Sequence, residues 1–212
     1  MGEMGLRERK KQKMYQDVSD VAVRLFLERG FDAVSVAEVA AAAGISKPTL
    51  FRYFPAKEDL VLHRIADHET EAARVVAGAA DPVDALRRHF LAGLERRDPV
   101  TGLNDHPQVL AFHTLLYGTP ALVARAHSHL ERSEAALAEA LGGGLDARLA
   151  AGQIIAVQRI LAQENWRRVA AGEPIAVVAP DAARAAERAF RRLGEGLTEL
   201  RRTAVTGDRK HS

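Results

Sequence analysis

Apolar residues recur at three- and four-residue steps through KMYQDVSDVAVRLFLERG, where Val18, Val21, Ala22, Leu25 and Phe26 share one face of a helix from Lys13 to Arg29. Gly30 ends that helix, because glycine enters the left-handed conformation without penalty. The next stretch, FDAVSVAEVAAAAG, sets Ser35 three positions before Glu38, the spacing of a capping box, ahead of Val36, Val39, Ala40 and Ala43. Gly44 closes this second helix after about two turns. In GISKPTLFRYFPAKED, Ser46 can cap a third helix, and Pro48 is tolerated in its first turn, where its missing N–H has no intrahelical partner. The third helix ends near Phe54, since the residue before Pro55 is pushed out of the helical region. A long helix followed by two short ones around a glycine turn is the pattern of a helix-turn-helix in a three-helix unit.

Beyond Pro55 the same periodicity predicts helices over about 57–78, 82–97, 107–117, 119–141, 146–172 and 180–203. Asp81-Pro82 and Pro180-Asp181 read as helix starts, the Gly142-Gly143-Gly144 run and Gly172 as stops, and the apolar IAVVA at 175–179 as a connecting loop. The expected fold class is all-α, an N-terminal helix-turn-helix domain followed by a larger helical bundle. The expected divisions are a basic arm at 1–12, the helix-turn-helix domain at 13–60, the bundle at 61–205 and a mobile tail at 206–212.

Composition narrows the chemistry. The chain has no cysteine, which removes disulfides and thiolate metal sites. No apolar run approaches the roughly 20 residues that span a bilayer, and MGEMGLRERKKQK lacks the apolar segment of a signal peptide, so the expectation is a soluble, cytoplasmic protein without a membrane partner. A net charge of +2 is too small to argue for a polyanionic partner, but Arg7, Arg9, Lys10, Lys11 and Lys13 form a local basic run, and Lys47, Arg52 and Lys57 a second, spaced one. The eight histidines form no HExxH or ExxH pair; His127 and His129 point to different sides of a helix, and His63 and His68 share a face poorly. With no Ser/His/Asp set and no glycine-rich phosphate loop, the sequence points to no enzyme, cofactor or metal, and a helical-bundle metal enzyme is the alternative set aside.

A helix-turn-helix lays the N-terminal part of its second helix in the major groove. Here that part is Ser46, Lys47, Pro48 and Thr49: Lys47 can donate to guanine O6 and N7, and Thr49 can offer a hydroxyl or a methyl. Arg52 and Tyr53 lie one turn further on, within reach of phosphates, as does Lys57 at the start of the following helix. Short helical pairs around a glycine also occur in bundles that bind nothing.

The segment from Tyr15 to Leu62, through Phe26, Gly30, Phe31, Val36, Val39, Ala40, Ala43, Gly44, Ser46, Leu50, Tyr53, Phe54, Lys57 and Leu60, resembles the DNA-binding domain of the TetR family of bacterial transcriptional regulators. The resemblance implies a homodimer that represses transcription from a palindromic DNA operator until a small effector releases it. It further implies that Ser35 and the amides it caps hold phosphate, that Lys47, Pro48 and Thr49 face bases, and that Tyr53 and Lys57 hold phosphates. Two positions depart from the family. Phe51 stands where tyrosine is frequent, leaving it either packing at the groove edge or a phosphate contact without its hydroxyl. Ala56 stands where Ser, Thr or Asn usually caps the next helix, a loss on the order of 1 kcal/mol. The basic run at 7–13 resembles the arms preceding this domain in some members, and the alternative is a solvated tail.

In the larger part, Ala182, Ala186, Ala189, Leu193, Leu197 and Leu200 stripe the last helix opposite Arg184, Arg188, Arg191, Arg192 and Glu195. The helix at 146–172 carries a wider stripe, Ala147, Ala150, Ile154, Val157 and Leu161. Together they suit an intersubunit four-helix bundle, which would set two recognition helices roughly 34–36 Å apart; an intramolecular bundle is the other reading. Leu86, His89, Phe90, Leu94, Phe112, His113, Leu116 and Tyr117, with Gln158 and Trp166, have the apolar walls and sparse polar groups of a small-ligand pocket, although each also suits plain core. A dimeric DNA-binding protein without any ligand remains the second functional reading.

Overall fold

Ten α-helices and one 3₁₀ turn make up the secondary structure of the computed structural model, which describes residues 6–66 and 68–207, with side chains at 11–66 and 68–197. No strand occurs among these residues, and none of their helices is long and apolar enough to cross a membrane. The chain folds into two compact units, one made of the residues up to His68 with Ala111–His129, the other of Glu69–Leu110 with the chain from Leu130 onward.

The first unit opens with α1 (Leu6–Arg29), whose backbone begins seven residues earlier than the apolar periodicity does. The basic run expected as an arm is therefore helical from Leu6; Lys11 and Lys13 are exposed, and the side chains of Arg7, Arg9 and Lys10 lie outside the described residues. The N–H of Gly30, at φ 90°, donates to the Phe26 carbonyl at 2.9 Å and closes α1 with a left-handed cap. α2 (Val36–Ala42) and α3 (Lys47–Tyr53) follow, then α4 (Asp59–Ala66). At the turn between α2 and α3, Ile45 N–H donates to Ala40 C=O and Gly44 N–H to Ala41 C=O, at 3.0 and 3.1 Å. These paired bonds need a left-handed residue between them, which Gly44 supplies at φ 68°.

The core of this unit is Val18, Ala22, Val23 and Phe26 of α1 against Val34, Val39, Leu50, Phe54 and the consecutive Leu60, Val61 and Leu62. Buried Ser19 donates its hydroxyl to the Leu60 carbonyl at 2.7 Å and ties α1 to α4. Leu116 of α7 (Pro107–Gly118) and Leu122 of α8 (Pro120–Ala140) complete the cluster.

The helix expected over 57–78 is instead two, α4 and α5 (Glu71–Val76). His68, Glu69 and Thr70 offer no apolar side chain to a core, and the two units divide between His68 and Glu69. α6 (Pro82–Glu95), α9 (Gly144–Ala170) and α10 (Ile175–Gly207) build the second unit around Leu86, Phe90, Leu94, Ile154 and Phe190. IAVVA is not a loop: α10 starts at Ile175 and runs through Pro180. Ile175 and Val178 are buried on the face that continues through Ala182, Ala186, Phe190, Leu193 and Leu197, and this packing outweighs the amide hydrogen bond that Pro180 cannot make. Phe190, rather than Ala189, fills the middle of that stripe; Leu200 lies outside the described side chains.

The stripes expected between subunits are largely consumed within this core, with Ala150, Ile154, Val157 and Leu161 packing inside it alongside the α10 stripe, and Ala147 is buried too. What α9 leaves exposed is a second apolar line, Leu145, Leu149 and Ile160, half to two-thirds accessible. At the 100° helical step this line lies opposite the buried one, so α9 has two apolar faces.

Gly102 marks the tightest approach in the second unit. It follows the 3₁₀ turn Pro99–Thr101 with φ 71°, and a Cβ built on it would lie 1.9 Å from the Ala162 carbonyl oxygen of α9. Beside it, buried Asn165 donates to the Thr101 carbonyl at 2.9 Å. Gly102→Ala, facing both a backbone collision and a left-handed φ, is expected to destabilise the protein by about 3 kcal/mol or more, measured as a lowered denaturation midpoint; an unchanged midpoint would contradict this packing.

Candidate nucleic-acid interface

α3 has seven residues, too short to be stable alone, and is fixed at both ends and along one side. Ser46 accepts the Thr49 N–H at 3.2 Å, Pro48 sits in the first turn, and Leu50 and Phe54 are buried against the three-helix core. Tyr15 of α1 meets the ring of Phe54 edge-on at 5.1 Å and that of Tyr53 at 5.3 Å, and stacks on His63 of α4 at 4.7 Å.

This anchoring decides which side chains remain outside. Ser46, Lys47, Pro48, Phe51 and Arg52 are exposed. Thr49 is half-buried, and its hydroxyl lies 2.8 Å from that of Ser46, so it flanks the outer face rather than occupying the centre. Arg52 folds over Tyr53, with its guanidinium 5.1 Å from the ring centroid and an Nη2 donating to the phenolic oxygen at 3.4 Å. The Lys47 ammonium sits 5.8 Å from the centroid of Phe51, one turn further along the same side.

Two sequence-predicted phosphate holders have partners within the chain. Lys57 donates to the Phe31 carbonyl at 2.5 Å, with its ammonium 4.3 Å from the Phe31 ring centroid and 5.4 Å from that of Phe26. Ser35 is engaged in a complete capping box: Glu38 N–H donates to its hydroxyl at 3.2 Å, and its own N–H donates to Glu38 Oε2 at 2.8 Å. Arg29 donates to Glu38 Oε1 at 2.7 Å. The Ser35 amide, then the Arg29 and Ser35 side chains, hold the Glu38 carboxyl down at about 2, so it is ionised at neutral pH. An approaching phosphate would meet that charge beside Ser35, offset by Arg29.

The start of α4 shows what the sequence reading missed. Ala56 offers no capping oxygen, but Asp59 Oδ2 accepts the Ala56 N–H at 3.0 Å, recovering half of a capping box. Arg125 of α8 grips the same carboxylate with two bonds, Nε to Oδ1 at 2.9 Å and Nη2 to Oδ2 at 3.1 Å. The local signal was present in Asp59, three residues past Ala56; Arg125 lies 66 positions away and carries no local signal. Arg64 of α4 also pairs with Asp20 of α1.

The expected ligand-pocket residues fall into both units. Leu86, His89, Phe90, Gln158 and Trp166 belong to the second, where Phe90 meets Phe190 at 6.0 Å and His89 lies 3.0 Å from Glu71. Phe112, His113, Leu116 and Tyr117 belong to the first, with the Arg64 guanidinium over Phe112 at 5.8 Å. Burial pushes the His113 imidazole down to about 4, keeping it neutral. Among the described residues, no three His, Asp or Glu side chains gather where they could hold a metal ion.

Residues 19–63 match the sequence model of the family described as bacterial regulatory proteins, tetR family. The chain is 34% identical over 134 residues to the HTH-type transcriptional regulator TcmR of Streptomyces glaucescens, a match covering 61% of this chain and 58% of that protein. It is 32% identical over 91 residues to the HTH-type transcriptional regulator AcrR of Shigella flexneri, covering 40% and 41%. The chain thus spans less than two thirds of the length of either relative. The fold is similar to that of NalD, the secondary repressor of the MexAB-OprM multidrug efflux pump in Pseudomonas aeruginosa, with a TM-score of 0.58 at 18% identity over 86% of this chain and 96% of that one. A TetR-family regulator from Streptomyces coelicolor gives a TM-score of 0.52 at 20% identity, over 90% and 99%.

Two outcomes follow from these contacts. Arg125→Ala, which leaves the Asp59 carboxylate half-buried with one partner fewer, should cost about 1–2 kcal/mol in urea unfolding, and equal stability would show that the pair does not brace α4. For Glu38, the folded carboxyl at about 2 lies below the ordinary 4.5, so its contribution is present above 4.5 and is lost as pH falls toward 2. The stability advantage of the wild type over Glu38→Gln should therefore shrink on acidification, measured by denaturant titration across that window; a constant difference would contradict it.

Proposed function

We propose that this chain, whose residues 19–63 match the model of the tetR family of bacterial regulatory proteins, is a TetR-family regulator: a cytoplasmic, sequence-specific DNA-binding transcriptional regulator acting as a homodimeric repressor. The observation that carries this reading is the outer face of α3, where Lys47, Pro48 and Arg52 stand exposed on a short helix whose other side is fixed by Leu50 and Phe54. A helix held this rigidly can enter the major groove without losing further order, which favours recognition. Lys47 donates to a guanine edge, and Arg52 and Tyr53 meet phosphates. Ser46 and Thr49 line the groove-facing end, while Ser35 and Lys57 contribute only at the margin, because their polar groups are already engaged.

The homodimer uses α9 and α10, with the exposed line Leu145, Leu149 and Ile160 at its centre, since an apolar line of this kind is better covered than left in water. Two-fold pairing makes the operator a palindrome, and a dimer seated on a promoter blocks polymerase without further contacts. The effector is a small, mostly apolar molecule received in the second unit near Leu86, His89, Phe90, Gln158 and Trp166.

The direct test offers the purified protein the DNA upstream of its own gene against random duplex at physiological salt. The regulator reading expects a clear preference, weakened about 5- to 150-fold by Lys47→Ala. Arg52→Ala should weaken all sequences together and reduce the salt slope by about one. Equal affinity for both duplexes would sink the reading. For the dimer, Leu149→Glu should halve the mass seen by sedimentation equilibrium; an unchanged mass would move the interface elsewhere.

A further inference from the structure

Leu86 is fully buried and Phe90 nearly so, in the core cluster of the second unit. An apolar molecule reaches such side chains only where part of the wall moves. The stretch 173–179 of that wall lies between two breaks. At its start Gly172, at φ 87°, closes α9, its N–H donating to the Val169 carbonyl at 3.0 Å and that of Glu173 to the Arg168 carbonyl at 3.1 Å. At its end Pro180 brings no N–H, so the Ala176 carbonyl one turn back lacks its helical donor. Between these breaks Ile175 and Val178 are buried, while Pro174, Ala176 and Val177 are exposed.

The ion pairs of this stretch converge on one side chain. Arg168, in the last turn of α9 and only 19% exposed, donates through Nε to Glu173 Oε2 at 2.9 Å and through Nη1 to Asp181 Oδ2 at 3.1 Å. Its two partners flank the stretch, one at each end. Asp181 also pairs with Arg184 of α10, a contact that stays on α10 whatever the stretch before it does. We propose that residues 173–180 are a strap, latched at both ends by the Arg168 guanidinium, which swings away as one piece to admit an apolar effector to the core around Leu86 and Phe90. Gly172 is one pivot and Pro180 the other. With the strap open, Pro180 stands in the first turn of a shortened α10, where a proline is tolerated. Opening therefore costs the latch and two buried side chains but leaves both flanking helices with a natural end.

The entrance role rests on the effector reading above, and two measurements on the full chain keep them apart. Hydrogen exchange at the Val177 and Val178 amides, both bonded to the Pro174 carbonyl, reads the opening, with Ile154 and Ile155 of α9 as reference. Stopped-flow uptake of phenylnaphthylamine, an uncharged apolar fluorophore, reads the entrance. Arg168→Met is expected to speed exchange at Val177 and Val178 about 10- to 100-fold and to leave Ile154 and Ile155 unchanged. Pro180→Ala, which gives the Ala176 carbonyl a donor, should slow the same amides about 10-fold and decides the matter if Arg168→Met does not fold. Uptake should quicken and slow in the same two directions. Exchange that shifts equally at Ile154 and Ile155, or that ignores Pro180→Ala, shows that no separate strap exists. Strap exchange that responds while uptake does not overturns the entrance. If the fluorophore does not bind at all, the effector reading falls and the entrance with it, while exchange still decides whether the strap opens.

Discussion

The burial of Leu50 and Phe54 is the contact on which the proposed DNA face depends. A seven-residue helix gains too few internal hydrogen bonds to offset its nucleation, so α3 exists only because its inner side is fixed to α1 and α4. The same contact orients everything outside it. With Leu50 in the core and Phe54 against Tyr15, Lys47, Pro48, Phe51 and Arg52 are left exposed. Loosening that inner side would blur the outer one, so Ser19, bound to the Leu60 carbonyl, and the Arg64–Asp20 pair, which tie α1 to α4, support the proposed face.

Much of this was legible because its causes are local. The Ser35–Glu38 box, the Ser46 cap, Gly30 and Gly44 all act within a few residues of themselves, and their spacing alone announces two short helices around a turn. What the sequence hid acts across distance. Arg125 finds Asp59 only once α8 is packed beside α4, and Gly102 is required by the approach of Ala162, sixty residues on. Pro180 misled for the opposite reason. Its local signal was a genuine helix start, but the buried Ile175 and Val178 extend the same apolar face backwards, and tertiary packing settled the matter.

The two faces of α9 show where periodicity stops discriminating. Ala150, Ile154 and Leu161 were visible as an apolar stripe, and so was its excessive width, but nothing in the pattern says which part a neighbouring helix of the same chain will take. The second unit takes that stripe for its own core. Leu145, Leu149 and Ile160 are what remain, so the reason to expect a partner survives while its address on the helix shifts to the opposite side.

Charge placement leads to a similar shift at the DNA face. The family resemblance distributes phosphate contacts among Ser35, Tyr53 and Lys57, yet the Ser35 amide is bound by an ionised Glu38 and the Lys57 ammonium by the Phe31 carbonyl and two aromatic rings. Each of these arrangements stabilises the unit, and each withdraws a group from a backbone phosphate. A net charge of +2 cannot compensate through a general field. Under the proposed DNA-binding reading, nonspecific attraction is carried by few cations, Arg52 and the exposed Lys11 and Lys13 among them, and a larger share of the discrimination falls on side chains that meet base edges. Under that constraint the composition of the outer face of α3 matters more than the total charge of the domain.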